Sequence, residues 1–352
     1  MRRRFPLGEG RLAGAGKLAA TGFEVKEHKA PTARLRNSIH RVNVAALGQV
    51  SLCGNGRSMT SGQEPVSRYI RAADGLRLHY FDYPAPPGGG GSPLLPVVCL
   101  PGLARSADDF DRVARTLQAD GRRILALDYR GRGRSDWDQD WRRYAFDVEH
   151  ADIIAQLADA GVEQAVFIGT SRGGLHTMRI AARRPGVVRG AVLNDIGPKI
   201  EHAGLLRIKR YVGRLPPIAS MREAIALMRM TAGVDFSGVS PQEWEDYARL
   251  TFVEKDGKVQ LRYDPDLSHT LDGVAPDVEP EEYWDDFAAL ANVPILAIRG
   301  ANSDILSPEV FDEMARRAPR LERAWVEGQA HAPLLLDQPT IARIADFVRQ
   351  CP

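Results

Sequence analysis

From Tyr69 onward, short apolar runs alternate with amphipathic segments, and this alternation limits the folds open to the chain more than any other feature. Leu76 to Tyr83, Leu94 to Leu100, Arg123 to Asp128, Gln164 to Gly169, Val188 to Asp195, Pro294 to Gly300 and Arg323 to Glu327 read as strands. Helical patterns fall between them: from Ser106, over Tyr144 to Ala160, from Arg172, near Pro308 to Arg317, and over Gln338 to Gln350. Strands that are apolar throughout, separated by helices with one apolar side, suit a parallel sheet covered on both faces. The Ser106 hydroxyl is placed to cap its helix, with Asp109 in the first turn favoured by the helix dipole. Phe146, Ile153, Ile154 and Leu157 share one side of the Tyr144 helix. Pro86 to Pro93, with two prolines and four glycines in its first six residues, is a loop.

Three blocks emerge. Residues 1–65 are basic and lack periodicity, so they read as a disordered or targeting extension. Residues 1–60 hold 11 Lys and Arg against 3 acids, leaving the rest of a +2 chain at −6. The composition fits an organellar transit peptide, and equally a start placed too early, with initiation near Met59. Residues 66–198 and 294–352 form the α/β core. Residues 199–293 interrupt it with helical pieces bearing Trp244, Tyr247, Tyr283 and Trp284 and no strand pattern. No apolar stretch is long enough to span a membrane. A mildly acidic body argues against a nucleic-acid partner. Cys53, Cys99 and Cys351 lack zinc-ligand spacing, as expected of a reducing, cytoplasmic setting.

Gly169-Thr170-Ser171-Arg172-Gly173 sits where a strand ends and a helix begins. Gly169 and Gly173 flank a turn too tight for side chains, and the turn lifts the Ser171 hydroxyl above the sheet edge. A serine needs a base to take its proton, and the base needs a carboxylate. His331 follows the strand ending near Glu327, and Asp304 follows the one ending at Gly300, in the order Ser, Asp, His. Asp195 also ends a strand on that edge and is the alternative acid. An oxyanion needs preorganised donors. The main-chain N–H groups of Arg172 and of Leu103, in the loop Leu100 to Arg105, are the candidates.

With Pro101-Gly102-Leu103, Asp128 to Asp136, the Ser171 turn and Ala330-His331-Ala332-Pro333 taken together, the chain from about Tyr69 to Gln350 resembles the capped α/β-hydrolases. That group includes esterases, enol-lactonases, meta-cleavage-product hydrolases, epoxide hydrolases and haloalkane dehalogenases. The resemblance implies an eight-stranded, mostly parallel sheet flanked by helices, a helical cap at 199–293 inserted after the sixth strand, and no metal or organic cofactor. Relatives usually have His-Gly where this chain has Pro101-Gly102. Those that displace halide or open epoxides carry aspartate at the nucleophile position, so Ser171 disfavours both. After a strand ending in Asp128, Arg130 to Arg134 is this family's loop rather than an RNA-binding segment.

The expected chemistry is hydrolysis of a small ester, thioester or lactone, or of a carbon–carbon bond beside a ketone. The alternative is a non-catalytic ligand-binding module on the same fold. Within the insertion, Arg207, Arg210 or Arg214 could pair with a substrate carboxylate, and Trp244 could wall the pocket. The expected partner is a small-molecule substrate, with neither nucleic acid nor membrane.

Overall fold

The structure, a computed structural model, describes residues 63–87 and 94–352. The expected extension over 1–65, apart from 63–65, lies outside the described residues, as do 88–93 of the glycine-rich loop. In chain order the strands are β1 (Val66–Arg71), β2 (Arg77–Tyr83), β3 (Val97–Leu100), β4 (Ile124–Leu127), β5 (Ala165–Thr170), β6 (Val188–Asn194), β7 (Phe252–Lys255), β8 (Lys258–Leu261), β9 (Ile295–Gly300) and β10 (Leu321–Val326). The helices are α1 (Asp111–Ala119), α2 (Phe146–Asp159), α3 (Arg172–Arg183), α4 (His202–Tyr211), α5 (Met221–Ala232), α6 (Pro241–Thr251), α7 (Trp284–Ala288), α8 (Pro308–Arg317) and α9 (Gln338–Arg349).

Eight strands form one sheet in the order β1-β2-β4-β3-β5-β6-β9-β10. Only β2 runs against its neighbours; the remaining pairs are parallel. Successive side chains point to opposite faces, and both faces are covered. Leu125, Leu127, Phe167 and Leu193 pack in one core, while Ala126, Val166, Ile168 and Val192 pack in the other. β1 was not among the expected strands. It lies at the sheet edge and is largely exposed, so its sequence carries no buried run.

Strand order explains where a site can form. β3 has β4 on one side and β5 on the other, so the chain leaves it in one direction and returns in the opposite one. Loops diverge there and open a crevice beyond the C-terminal ends of β3 and β5.

Between β6 and β9 the chain contributes α4, α5, α6, α7 and, contrary to expectation, the hairpin β7–β8. Its turn holds Asp256 and Gly257 at φ of 52° and 69°. An Asp-Gly pair with both residues left-handed matches the twist of two joined strands, and this dipeptide was the available signal. Core side chains hold the insertion. Arg105 donates to Thr251 Oγ1 at 2.5 Å, Arg112 pairs with Asp246 at 2.5 Å, and Asp108 accepts from both Arg134 and Arg262.

Ser106 does not cap a helix. Its hydroxyl is buried without a side-chain cap bond, and Asp128 Oδ1 accepts from the Ala107 N–H at 2.7 Å instead. The Arg130 to Arg134 run is interior structure. Arg130 binds Asp152 at 2.6 Å and Asp138 at 2.9 Å, and Arg132 is fully buried. Gly133 is left-handed at φ 57°, and a Cβ there would lie 2.2 Å from Asp128 Oδ1. Among the described residues no helix is long and apolar enough to cross a membrane.

Candidate active site

Ser171 stands between β5 and α3 at φ 51° and ψ −115°, a conformation costly for any residue with a side chain. The neighbouring glycines make it attainable. A Cβ on Gly169 would come within 2.5 Å of the Gly173 backbone, and one on Gly173 within 2.0 Å of the Leu100 carbonyl oxygen. The turn is therefore pressed against β3, and its serine projects into the crevice.

The imidazole of His331 meets it there. Nε2 lies 2.9 Å from Ser171 Oγ, and Nδ1 lies 2.8 Å from the Asp195 carboxylate. An ionised carboxylate can only accept, so Nδ1 carries the proton and Nε2 is left to accept from the serine hydroxyl. Asn194 Nδ2 donates to the Pro333 carbonyl at 2.9 Å, and Gln329 Oε1 accepts from the Leu334 N–H at 2.9 Å. These bonds close the histidine loop on itself and on β6.

The acid preferred from sequence was Asp304, and the structure corrects it. Asp195 is fully buried and accepts from the Gly300 N–H at 2.7 Å and from Ser303 Oγ at 2.6 Å as well as from His331. β6 lies beside β9, so a carboxylate ending β6 reaches under the β9 loop to the histidine. Asp304 is held elsewhere by a two-point grip, Arg207 Nη2 to Oδ1 at 2.7 Å and Nε to Oδ2 at 2.5 Å. Burial opposes its ionisation, but Arg207, with His331 adding to it, keeps its carboxyl below the ordinary value.

Leu103 and Arg172 flank the serine. A Cβ on Gly102 would touch Ser171 Cβ at 3.8 Å, so the β3 loop lies against Ser171. Leu103, Ser171 and Arg172 together line a cavity of about 360 Å³ whose other walls are mixed, with Leu175, Ile200, Leu205, Ile208 and Val274 beside Thr270, Glu279, Glu281 and Tyr283.

The cation and aromatic expected to bind substrate are placed differently. Arg207 is occupied by Asp304, while Arg210 and Arg214 are exposed and none of the three lines the cavity. Trp244 is 4% exposed and packs with Phe236, Ala330, Leu334 and Leu336, away from that lining. Sequence reasoning missed the aliphatic face of α4. Leu205 and Ile208, three residues apart, share it, and the interleaved cations Arg207, Lys209 and Arg210 mask it in the sequence.

A family model described as the alpha/beta hydrolase fold matches residues 96–216. Over 266 residues the chain is 33% identical to a 3-hydroxybutyrate-oligomer hydrolase of Cupriavidus necator, covering 73% of this chain and 90% of that protein. The chain belongs to the α/β-hydrolase family. A crystal structure of an alpha/beta hydrolase from Novosphingobium aromaticivorans superposes with a TM-score of 0.75 at 36% identity, covering 81% of this α/β-hydrolase and 98% of that chain. An sn-1-specific diacylglycerol lipase of Mus musculus is 26% identical over 250 residues, 69% of this chain and 76% of the lipase. This α/β-hydrolase is an enzyme of the carboxylic-ester hydrolase type.

Proposed function

We propose that this enzyme is a serine hydrolase of short aliphatic esters, acting through Ser171, His331 and Asp195. The Ser171–His331–Asp195 relay at 2.9 and 2.8 Å, with Ser171 opening into a mixed cavity of aliphatic and polar walls, carries the reading. Ser171 Oγ attacks the ester carbonyl as His331 Nε2 takes its proton. Asp195 holds the imidazole in the competent tautomer and stabilises it when charged. The carbonyl oxygen becomes an oxyanion and accepts from the Leu103 and Arg172 N–H groups. His331 then protonates the leaving alkoxide, and water, deprotonated by the same imidazole, releases the acid from Ser171.

The cavity volume is near the low end of the range for small-molecule pockets. The aliphatic part of its wall, Leu175, Ile200, Leu205, Ile208 and Val274, favours a short acyl chain, Thr270 and Tyr283 add polar contacts, and similarity to the oligomer hydrolase supports a short 3-hydroxyacyl oligoester as the substrate class. The test is turnover of p-nitrophenyl butyrate and of 3-hydroxybutyrate dimer and trimer by wild type and Ser171→Ala. Hydrolysis of both, abolished in the variant, is expected. A folded wild-type chain that hydrolyses neither ester overturns the mechanism, and one that takes only the nitrophenyl ester overturns the substrate class.

A further inference from the structure

Glu149, on the first turn of α2, points into the interior beneath the nucleophile turn and is fully buried. A lone carboxylate there would be prohibitively costly, so its partners decide what it does. Arg172 Nε donates to Oε2 at 2.6 Å, Arg132 Nη1 lies 2.6 Å from Oε1, and His176 Nε2 lies 3.3 Å from Oε2. Each guanidinium reaches a second point. Arg132 Nε donates to the carbonyl of Leu103 at 2.8 Å, and Arg172 Nη2 donates to the carbonyl of Tyr144 at 3.4 Å.

Besides the Arg130 carbonyl, which Arg132 Nη1 meets at 2.7 Å, and the Tyr144 carbonyl, these contacts reach Leu103 and Arg172, the two residues whose main-chain N–H groups the mechanism above assigns to the oxyanion. We propose that Glu149 is a positioning residue for the oxyanion hole, fixing one donor by holding Arg172 directly and the other by holding Arg132, which anchors the Leu103 peptide. The inference rests on the serine mechanism above. Donors act on a transition state only if they are already in place, because reorganising them during the reaction would consume the advantage. Leu103 is in a turn closed by the Arg105 N–H donating to the Gly102 carbonyl at 3.2 Å, and Arg132 holds the Leu103 carbonyl from outside that turn.

Geometry and charge make opposite predictions, which renders the role testable. Two guanidinium groups face one carboxylate, so the network leaves a positive excess below the oxyanion. Glu149→Gln raises that excess. A purely electrostatic role therefore predicts that the variant keeps or gains activity, whereas a positioning role predicts a loss. Arg132→Lys keeps the charge but replaces a planar fork with a single point of attachment.

The experiment uses the full chain and p-nitrophenyl butyrate, with active sites counted by a fluorophosphonate so that misfolded protein does not enter kcat. A trifluoromethyl ketone, which forms a tetrahedral adduct on the serine, reports the oxyanion hole independently. Glu149→Gln and Arg132→Lys are expected to lower kcat at least about tenfold, approaching the 100-fold at which outright loss of a donor begins. Affinity for the ketone falls by the same factor, while KM stays within about twofold. Should the buried variants fail to fold, Arg172→Met carries the test, since that side chain is 17% exposed and its replacement removes only the direct arm. Variants whose kcat and ketone affinity stay within twofold of wild type, with only the melting temperature lowered, overturn the proposal. A wild type without ester turnover removes the serine mechanism itself, and the positioning role with it.

Discussion

Asp195 and Asp304 both follow strands at the same edge of the sheet, yet only Asp195 touches His331, at 2.8 Å, while Arg207 grips Asp304 by both carboxylate oxygens. Neutralising each carboxylate separately should therefore give unequal results. Asp195→Asn leaves the shape of the site but offers His331 an amide, which no longer selects the tautomer that accepts from serine. Its kcat on a short p-nitrophenyl ester should fall ~1,000-fold or more. Asp304→Asn should lose less than about tenfold, through the weaker field at the imidazole. The reverse order, measured under saturating substrate, would return Asp304 to the catalytic role.

Arg207→Ala tests what the cation on α4 does. Both partners of the Arg207–Asp304 pair are 38% exposed, so solvent screens it and its loss should cost less than about 1 kcal/mol of stability. Its fork is committed to Asp304, and the cavity lining does not include it. Neutral and anionic esters should accordingly change by the same factor, within about threefold, when compared by kcat/KM. A selective loss on the anionic ester would show that the guanidinium pairs with substrate.

The pairing of Ser171 with His331 was legible because local rules fix where each residue falls: a Gly-x-Ser-x-Gly turn after an apolar strand has few ways to fold, and His331 follows the last strand in the required order. The acid was not, since Asp195 and Asp304 differ only in the loops' paths beyond β6 and β9, which no periodicity encodes. The α2 helix shows the same limit. Its apolar residues Ile153 and Leu157 marked the inward side, but Glu149, Asp152 and Gln156 share that burial, and only three-dimensional neighbours make them tolerable there: Arg132 and Arg172 for Glu149, Arg130 for Asp152, and the His79 carbonyl for Gln156. The hairpin β7–β8 was missed for a different reason. Its four-residue strands carry little pattern, and the Asp256-Gly257 turn was the stronger clue.

Acid should destabilise this protein through histidines that fold uncharged. Burial pushes His176 down to about 4 in spite of Glu149 beside it, and burial together with Arg183 and Arg179 pushes His150 down to about 4. Their unfolded values are near 6.5, so the unfolded chain binds these protons first. The stabilisation is complete above about pH 6.5 and is lost as pH falls toward about 4, amounting to about 2 kcal/mol per histidine at pH 5. Glu149 adds to the loss at lower pH: burial opposes its charge, but Arg132 and Arg172 hold it well below its ordinary value, and that contribution fades only below about pH 4.5. Melting temperature should drop between pH 7 and 5. His176→Phe, which keeps the parallel stack on Phe146 at 4.0 Å, should flatten the drop by about one proton's share. A pH profile identical to wild type would contradict the assignment.

Chain-length selectivity should be set by the aliphatic face of α4. Leu205 and Ile208 line the cavity with Ile200 and Val274, and Leu205 is the less buried of the first pair, so a larger side chain there meets less resistance from the core. Leu205→Phe shortens the space open to an acyl chain without touching Ser171, His331 or Asp195. Each methylene excluded from an apolar pocket is worth about 1–3 kcal/mol, or roughly 10- to 200-fold in kcat/KM. The expected result is an acetate ester turned over within about threefold of wild type and a hexanoate ester turned over at least about tenfold more slowly. An unchanged ratio of the two esters would mean that the acyl chain runs along a different wall, and that the cavity beside Ser171 receives the alcohol portion of the substrate instead.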